Sequence, residues 1–456
     1  SSGAKRRSGP ARLAVRRNLT AKYRMFRLAL IFFGGDSLIR RWKFFVILGV
    51  LMGLCGLVLF YDLLDGVANI AAEVLGVALL LQGIFEMGVG TAHTHMRRRL
   101  QMLRGFAMLV VACLVLDFPW DNSITAGALF SAAFIFNGLL RIGSSWLIRY
   151  PAWRQSCVLG FAYLVMAALL LTNWPLPDAL NVSFCVGLAF LTTSWVLVRG
   201  GLKLRRLPPG CGLASIEVYH NQRYLDLAAK PGPEAQTTAP TAPLVVHVWT
   251  AVASTQDRIK LPIFERYIVA LSRKGNASSG HAALECGSLY ISHHPRDRLR
   301  INAQNVLQQA RATPENNRPG HWGSSYAQEE AKGRPSTVKI RFQVYSLYYL
   351  QAFWDGYRQD DTYNCTHRNC SSVVVQAIDA AMEGVFADKP FWRTLLRLMF
   401  HPDMWLAGSV RVRAESLAWS PGLALDYISA VRRVTDPRYD LRLDLVRRWR
   451  AKSSRR

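Results

Sequence analysis

Apolar residues in the first half of the chain run in unbroken stretches of about 14 to 25 positions, whereas beyond residue 205 they break into short alternating runs. Six stretches can be cut: Phe44 to Leu63, Ala68 to Gly88, Leu103 to Leu116, Ile124 to Ile148, Cys157 to Leu171 and Leu180 to Val198. Each is near the roughly 20 residues a helix needs to cross a hydrocarbon core, the third and fifth borrowing flanking residues. The pattern predicts a polytopic α-helical membrane domain over 44–199, followed by a soluble domain large enough for its own core.

Charge sets the orientation. Arg40, Arg41 and Lys43 precede the first stretch. Arg97, Arg98, Arg99 and Arg104 separate the second from the third, Arg149 and Arg154 the fourth from the fifth, and Arg199, Lys203, Arg205 and Arg206 follow the sixth. The intervening turns at 62–65, 117–121 and 173–178 carry no Lys or Arg. Basic loops stay on the cytoplasmic side, so both termini and the soluble domain are expected there.

A repeat of about 55 residues underlies the six stretches: Leu48-Gly49, Arg104-Gly105-Phe106 and Leu159-Gly160-Phe161 recur, and Gln82-Gly83 with Glu86 matches Asn137-Gly138 with Arg141. Three tandem helical hairpins are the economical description. Over about residues 38–206 this pattern resembles the HdeD-like short-repeat membrane proteins, associated with acid resistance in bacteria, and the resemblance implies an inner-membrane location. Glu86 and Arg141 read as a structural ion pair, or as side chains reaching the headgroups.

The leader, 1–43, carries Arg6, Arg7, Arg12, Arg16, Arg17, Lys22, Arg24 and Arg27 ahead of the apolar run Leu28 to Phe33. Basic and aromatic residues in that order predict an interfacial helix on anionic lipid. No small-residue cleavage site follows, so no cleaved signal peptide is expected. Connector residues 200–243 end in the Pro/Ala/Thr linker Ala228 to Pro243, and 435–456 form a second basic tail. The net charge of +26 on 456 residues would also suit nucleic acid, but no recognised nucleic-acid motif accompanies it, and membrane lipid is the expected partner. A hydrophobic content of 51% excludes disorder. Of eight Cys, four lie in apolar stretches, which excludes a disulfide framework.

Residues 244–434 read as an α+β domain: strands over Val245 to Val252, Tyr267 to Leu271, Ser279 to Glu285, Ser288 to Ser292 and Val338 to Val344, then an amphipathic helix over Leu347 to Tyr357. Trp392, Trp405 and Trp419, set among arginines, read as amphipathic core rather than a membrane-facing shelf. The segment Tyr363 to Ser372, YNCTHRNCSS, gives way to helical periodicity near Cys370, placing that thiol at a helix start. There the dipole favours a thiolate, and free backbone N–H groups can hold an oxyanion. His281 and His293 are twelve residues apart across a hairpin, a spacing that predicts two imidazoles side by side, one as base and one to orient it. Cys365, His367 and Cys370 are the rival reading as a zinc set, with His281, His293 or His294 as fourth ligand.

The order GHxxL, IxHHP, then Asn-Cys at a helix start resembles the circularly permuted papain-like hydrolases, to which the lecithin retinol acyltransferase group and NlpC-type peptidases are related. The resemblance covers about Leu244 to Val434. It implies a permuted papain-like fold, with Cys370 as nucleophile, His281 as base and His293 as orienting group, and no cofactor. The expected substrate is a peptide or other amide cleaved through a thioester, with a lipid acyl group as the alternative. A non-enzymatic stress protein whose soluble domain is structural or binds zinc is the second alternative.

Overall fold

The computed structural model describes residues 24–65, most of 76–87 and 102–116, 123–150, 153–207 apart from 176, 212–213, 242–250, 270–271, 277–278, 280–297, 305–399, 401–416 and 418–436. The chain divides into two compact units, one built from residues 41–143 and 154–205, the other from 20–40, 144–153 and 206–456.

Four helices are long and apolar enough to span a membrane: α2 (Trp42–Asp65), α3 (Ser123–Ile148), α4 (Trp153–Leu171) and α5 (Asp178–Arg205). They match the first, fourth, fifth and sixth stretches expected from the sequence. The second and third are helical at 79–84 and 105–113, and their remaining residues lie in part outside the described set, as does Glu86 with its expected pairing to Arg141. Exposed Leu51, Leu54, Phe136, Leu139, Val158 and Phe161 give these helices the apolar outer surface that lipid requires.

Small residues set the helix contacts. A Cβ on Gly83 would stand 3.0 Å from the Gly105 carbonyl oxygen, and one on Gly105 would stand 2.9 Å from that of Gly83. About 55 positions further on, Gly138 and Gly160 repeat the reciprocal approach at 2.8 and 3.0 Å. The backbones touch because neither helix carries a side chain there. Equivalent positions of the repeat thus make equivalent contacts. Helices α2 and α5 pack together through Gly49, Gly53 and Gly56.

The second unit is a five-stranded antiparallel sheet with helices gathered mainly on one face, an α+β arrangement. Its strands are β1 (Leu244–Trp249), β2 (His281–Cys286), β3 (Leu289–Pro295), β4 (Gly320–Trp322) and β5 (Val338–Phe342), in the order β4-β3-β2-β1-β5. Alternation assigns the faces. Val246, Val248, Ala282, Leu284, Ile291 and Ile340 point to one side, where α8 (Cys370–Ala381) and α11 (Pro421–Thr435) cover them and α7 (Leu347–Tyr357) packs on α8. His247, Trp249, Ala283, Tyr290 and Lys339 point to the other, under α6 (Tyr326–Lys332), whose Tyr326 ring stacks on His247 at 3.9 Å.

All twelve residues of α8 are buried, including Ser371, Ser372 and Asp379. Asp379 meets Arg411 of α10 (Pro402–Ser416) at 2.7 Å and accepts from Tyr427 at 2.5 Å, so the buried charge is fully paired.

Helix α1 (Arg24–Phe33) corrects the expectation of an interfacial segment. Leu28 to Phe33 are each at most 2% exposed, buried inside the second unit against α10 and α9 (Phe391–Met399). Phe33 meets Phe391 at 4.6 Å and Phe32 meets Phe386 at 5.7 Å, while the amides of Gly384 and Phe386 donate to Ile31 and Phe32 carbonyls. Each large side chain so buried stabilises the unit by roughly 1.5–3 kcal/mol. The boundary expected at residue 43 therefore falls inside the first unit, and 24–40 belong with the second. Residues 1–23 and 437–456, with their basic side chains, lie outside the described set.

Candidate functional site

Cys370 is the first residue of α8. Asn369 caps the helix: its side chain accepts from the Ser372 amide at 2.8 Å, and Ser372 Oγ accepts from the Asn369 amide at 2.8 Å. This reciprocal box satisfies the Asn369 and Ser372 amides, and Asn369 Nδ2 fixes the loop by donating to the carbonyls of Cys365 and Trp419. Cys370 is only 6% exposed, and its sulfur lies 3.8 Å from Ser371 Oγ.

That environment overturns the expectation of a low-pKa thiol. Burial pushes the Cys370 thiol up and outweighs the donors aimed at it, Ala282 first and then Ser371. The Cys365 thiol is likewise raised by burial, to about 11. Desolvating the anion costs more here than one helix end returns.

The hairpin decides where the histidines go. β2 and β3 are joined by the two-residue turn Gly287-Ser288, with Gly287 at φ +58° as a II′ turn needs, and Cys286 faces Leu289 across it. Counting back through Ala283↔Ser292, His281 stands opposite His294, and their rings stack at 4.2 Å. His293 is one residue off that register and points to the opposite face. The two imidazoles expected side by side are therefore separated by the sheet.

His293 points to the side of the sheet on which α8, the helix that Cys370 begins, is packed. It is fully buried, stacked on Trp322 at 4.2 Å and met edge-on by Tyr363 at 5.0 Å. Burial first, then the charges of Cys370 and Cys365, raise the Tyr363 hydroxyl well above the ordinary range. Nε2 of His293 lies 3.1 Å from the main-chain oxygen of Asp361, while Nδ1 is buried with no hydrogen-bond partner among the described residues. A carbonyl oxygen can only accept, so Nε2 carries the proton and Nδ1 presents a lone pair. Burial pushes the imidazole down to about 4, which keeps it neutral at physiological pH. Gly320 makes this contact possible, since a Cβ there would overlap the Asp361 oxygen and stand 2.6 Å from His293 Nε2.

On the far face, His281 Nε2 lies 2.8 Å from Ser292 Oγ, which is itself 3.0 Å from His294 Nε2 and donates to Glu329 Oε1 at 2.6 Å. His294 Nε2 is 2.8 Å from the same oxygen, and His281 Nε2 is 3.7 Å from Glu329 Oε2. Burial first, then His294, pushes His281 down to about 3. Burial alone would raise the Glu329 carboxyl, but the His294 hydrogen bond, neighbouring His281 and the Ser292 hydrogen bond outweigh it and hold the group at about 2.

The sequence-based site is thus split: Cys370 and His293 share a face, and His281 belongs to a second cluster. The rival zinc set of Cys365, His367 and Cys370 does not converge. Among the described residues, the three potential ligands whose donor atoms gather within 4.8 Å are His281, His294 and Glu329. Sequence reading missed Asp361, Gly320, Ser292 and Glu329. Ser292 and His294 could have been found from the parity of the Gly287-Ser288 turn; Glu329, on a separate helix, and the Asp361 carbonyl left no local signal. Comparison with family models, curated proteins and solved structures returns no match.

Proposed function

We propose that the chain is a membrane-bound cysteine-dependent acyl-transfer enzyme that cleaves amide or peptide bonds through a thioester. Cys370 is its nucleophile and His293 its base. What supports this reading is that α8, with a thiol at its capped start, packs on the strand whose buried His293 points to the same side of the sheet, held at Nε2 and with no hydrogen-bond partner at Nδ1 among the described residues.

The thiol proton passes to His293 Nδ1 as the sulfur attacks the substrate carbonyl carbon. The resulting oxyanion is held by backbone N–H groups at the start of α8. Collapse breaks the bond to the leaving group, which takes the proton back from His293, and leaves an acyl thioester. Water, deprotonated by His293, then releases the acid and regenerates the thiol. Because the resting thiol is neutral, its proton leaves only as attack proceeds, in the manner of a serine hydrolase rather than a preformed thiolate. His281 takes no part in this scheme.

The permuted papain-like resemblance of 244–434 and the HdeD-like resemblance of 38–206 fit this reading, with the alternating arginines keeping the soluble unit in the cytoplasm. Cleavage of lipid esters by the same steps is the second reading, favoured by four membrane-length helices on the same chain. Intact-mass analysis after exposure to acyl-amide and acyl-ester substrates tests both: acyl adducts on Cys370 that vanish in Cys370→Ala support the enzyme, and the substrate that forms them separates amide from ester chemistry. Absence of any adduct on Cys370 under hydroxylamine-free trapping would remove it.

A further inference from the structure

We infer that His281, His294 and Glu329 form a binding site for one divalent transition-metal ion, on the face of the β2–β3 hairpin away from Cys370. The inference does not depend on the thiol chemistry proposed above.

Three observations carry it. The donor atoms of all three residues lie within 4.8 Å of one another. Ligands held about 2.0–2.1 Å from a tetrahedral zinc ion stand about 3.3 Å apart. The separations here, 2.8 Å from His294 Nε2 to Glu329 Oε1 and 3.7 Å from His281 Nε2 to Glu329 Oε2, bracket that figure without rearrangement of the backbone.

The ligands come from rigid elements rather than from a loop. His281 and His294 are cross-strand neighbours with stacked rings, and Glu329 projects from α6, whose start is capped by Ser325. Close approach of Glu329 depends on Gly323: a Cβ there would overlap the Glu329 Oε1 oxygen and press on Ser292 Cβ at 3.0 Å. Ser292, fully buried, donates to the carboxylate, and its Oγ lies 2.8 Å from His281 Nε2 and 3.0 Å from His294 Nε2, so on metal binding this hydroxyl gives up its contacts to the two imidazoles and keeps the carboxylate oriented.

The set is also open. Side-chain exposures of 19% for His281, 31% for His294 and 17% for Glu329 leave one side facing solvent, where the exposed His321 ring lies 5.3 Å from that of His294. Two imidazoles and one carboxylate, with a position left for water, suit zinc or a neighbouring first-row ion and exclude a calcium-type all-oxygen site.

The test uses the full chain in detergent micelles, stripped with chelator and reloaded with zinc or cobalt(II) alone. We expect one ion per chain, and X-ray absorption at the zinc edge showing two imidazoles and oxygen with no sulfur. His294→Ala and Glu329→Gln should each weaken zinc binding by about a hundredfold or more, and Gly323→Ala by about tenfold to a hundredfold. Cys370→Ser and His367→Ala should bind as the unaltered chain does. Glu329→Gln keeps the side-chain volume and a hydrogen-bond acceptor, so its thermal unfolding, measured without metal, separates lost ligation from lost folding. Sulfur in the coordination shell, loss of binding in Cys370→Ser, or no stoichiometric uptake by the folded chain each overturns the inference.

Discussion

His293 and Asp361 are joined by one hydrogen bond, 3.1 Å from the imidazole Nε2 to the main-chain oxygen. Because a carbonyl cannot donate, this contact selects the tautomer and leaves Nδ1 as the basic atom in a pocket walled by Trp322 and Tyr363. A main-chain acceptor is a positioning device that no side-chain substitution at 361 removes. Substitution at Gly320 does disturb it.

Gly320→Ala is therefore expected to act through His293. The added methyl collides with the Asp361 oxygen and the ring nitrogen, so the imidazole must turn or the strand must shift. Acyl-thioester formation on Cys370 should fall by about 10²-fold or more, with substrate affinity changed far less, in line with loss of a positioned base. Stopped-flow separation of binding from acylation distinguishes this from general loosening of the site.

Cys370→Ala and His293→Ala should abolish thioester formation, whereas His281→Ala should leave it within a fewfold of the unaltered chain. The register puts His281 opposite His294 and away from the thiol. Loss of turnover in His281→Ala at unchanged stability would remove the assignment of His293 as base.

Alkylation gives the pH dependence. Burial raises both the Cys370 and the Cys365 thiol, the latter to about 11. An ordinary thiol titrates near about 8.5. Iodoacetamide should thus react slowly with both in the folded chain at neutral pH, and rates should still climb above pH 9. The same shift has a stability consequence. A raised folded-state pKa means the native state holds its proton when the unfolded chain has lost it, so the contribution is complete below about pH 8.5 and is lost as pH rises toward 11. The thermal midpoint should fall over that window, and Cys365→Ala should lessen the fall.

The buried ion pair gives a test of the fold. Arg411→Met takes the paired cation from the Asp379 carboxylate buried in α8 and should destabilise the second unit by about 3–5 kcal/mol. Adding Asp379→Leu should recover much of that loss, because the uncompensated charge is gone. Thermal unfolding of the two variants against the unaltered chain provides the measurement.

Legibility in the sequence followed the range of the interactions. Helix α7, expected over Leu347 to Tyr357, forms over those residues, because Ser346 caps it and its own apolar stripe of Leu350, Phe353, Trp354 and Tyr357 is buried as it packs on α8. The start of α8 at Cys370 was readable for the same reason: Asn369 and Ser372 carry a capping signal within four residues. His281 and His293 were misplaced by one residue of register, which in a strand reverses the face. Leu28 to Phe33 looked interfacial because the partners that bury them, Phe386 and Phe391, lie more than three hundred residues away in the chain. The pKa of Cys370 was misjudged for a related reason: the dipole is local and legible, whereas the burial that outweighs it is supplied by the whole fold.

In the membrane unit, Gly138 and Gly143 sit on one helix and provide their own control. A Cβ at Gly138 would stand 2.8 Å from the Gly160 carbonyl oxygen and 2.9 Å from Leu164, so α3 and α4 must separate to admit it, while a Cβ at Gly143 meets no described residue within 4 Å. Both replacements by Ala bring the same gain in helix propensity, so the difference between them isolates packing. Gly143→Ala should be neutral or slightly stabilising, and Gly138→Ala should cost about 1–3 kcal/mol in micelles, the usual penalty for forcing extra volume into a close contact. Because Gly83 and Gly105 make the same reciprocal approach, Gly83→Ala should behave like Gly138→Ala. Equal stabilities for Gly138→Ala and Gly143→Ala would mean that the helix pair is not held by this contact.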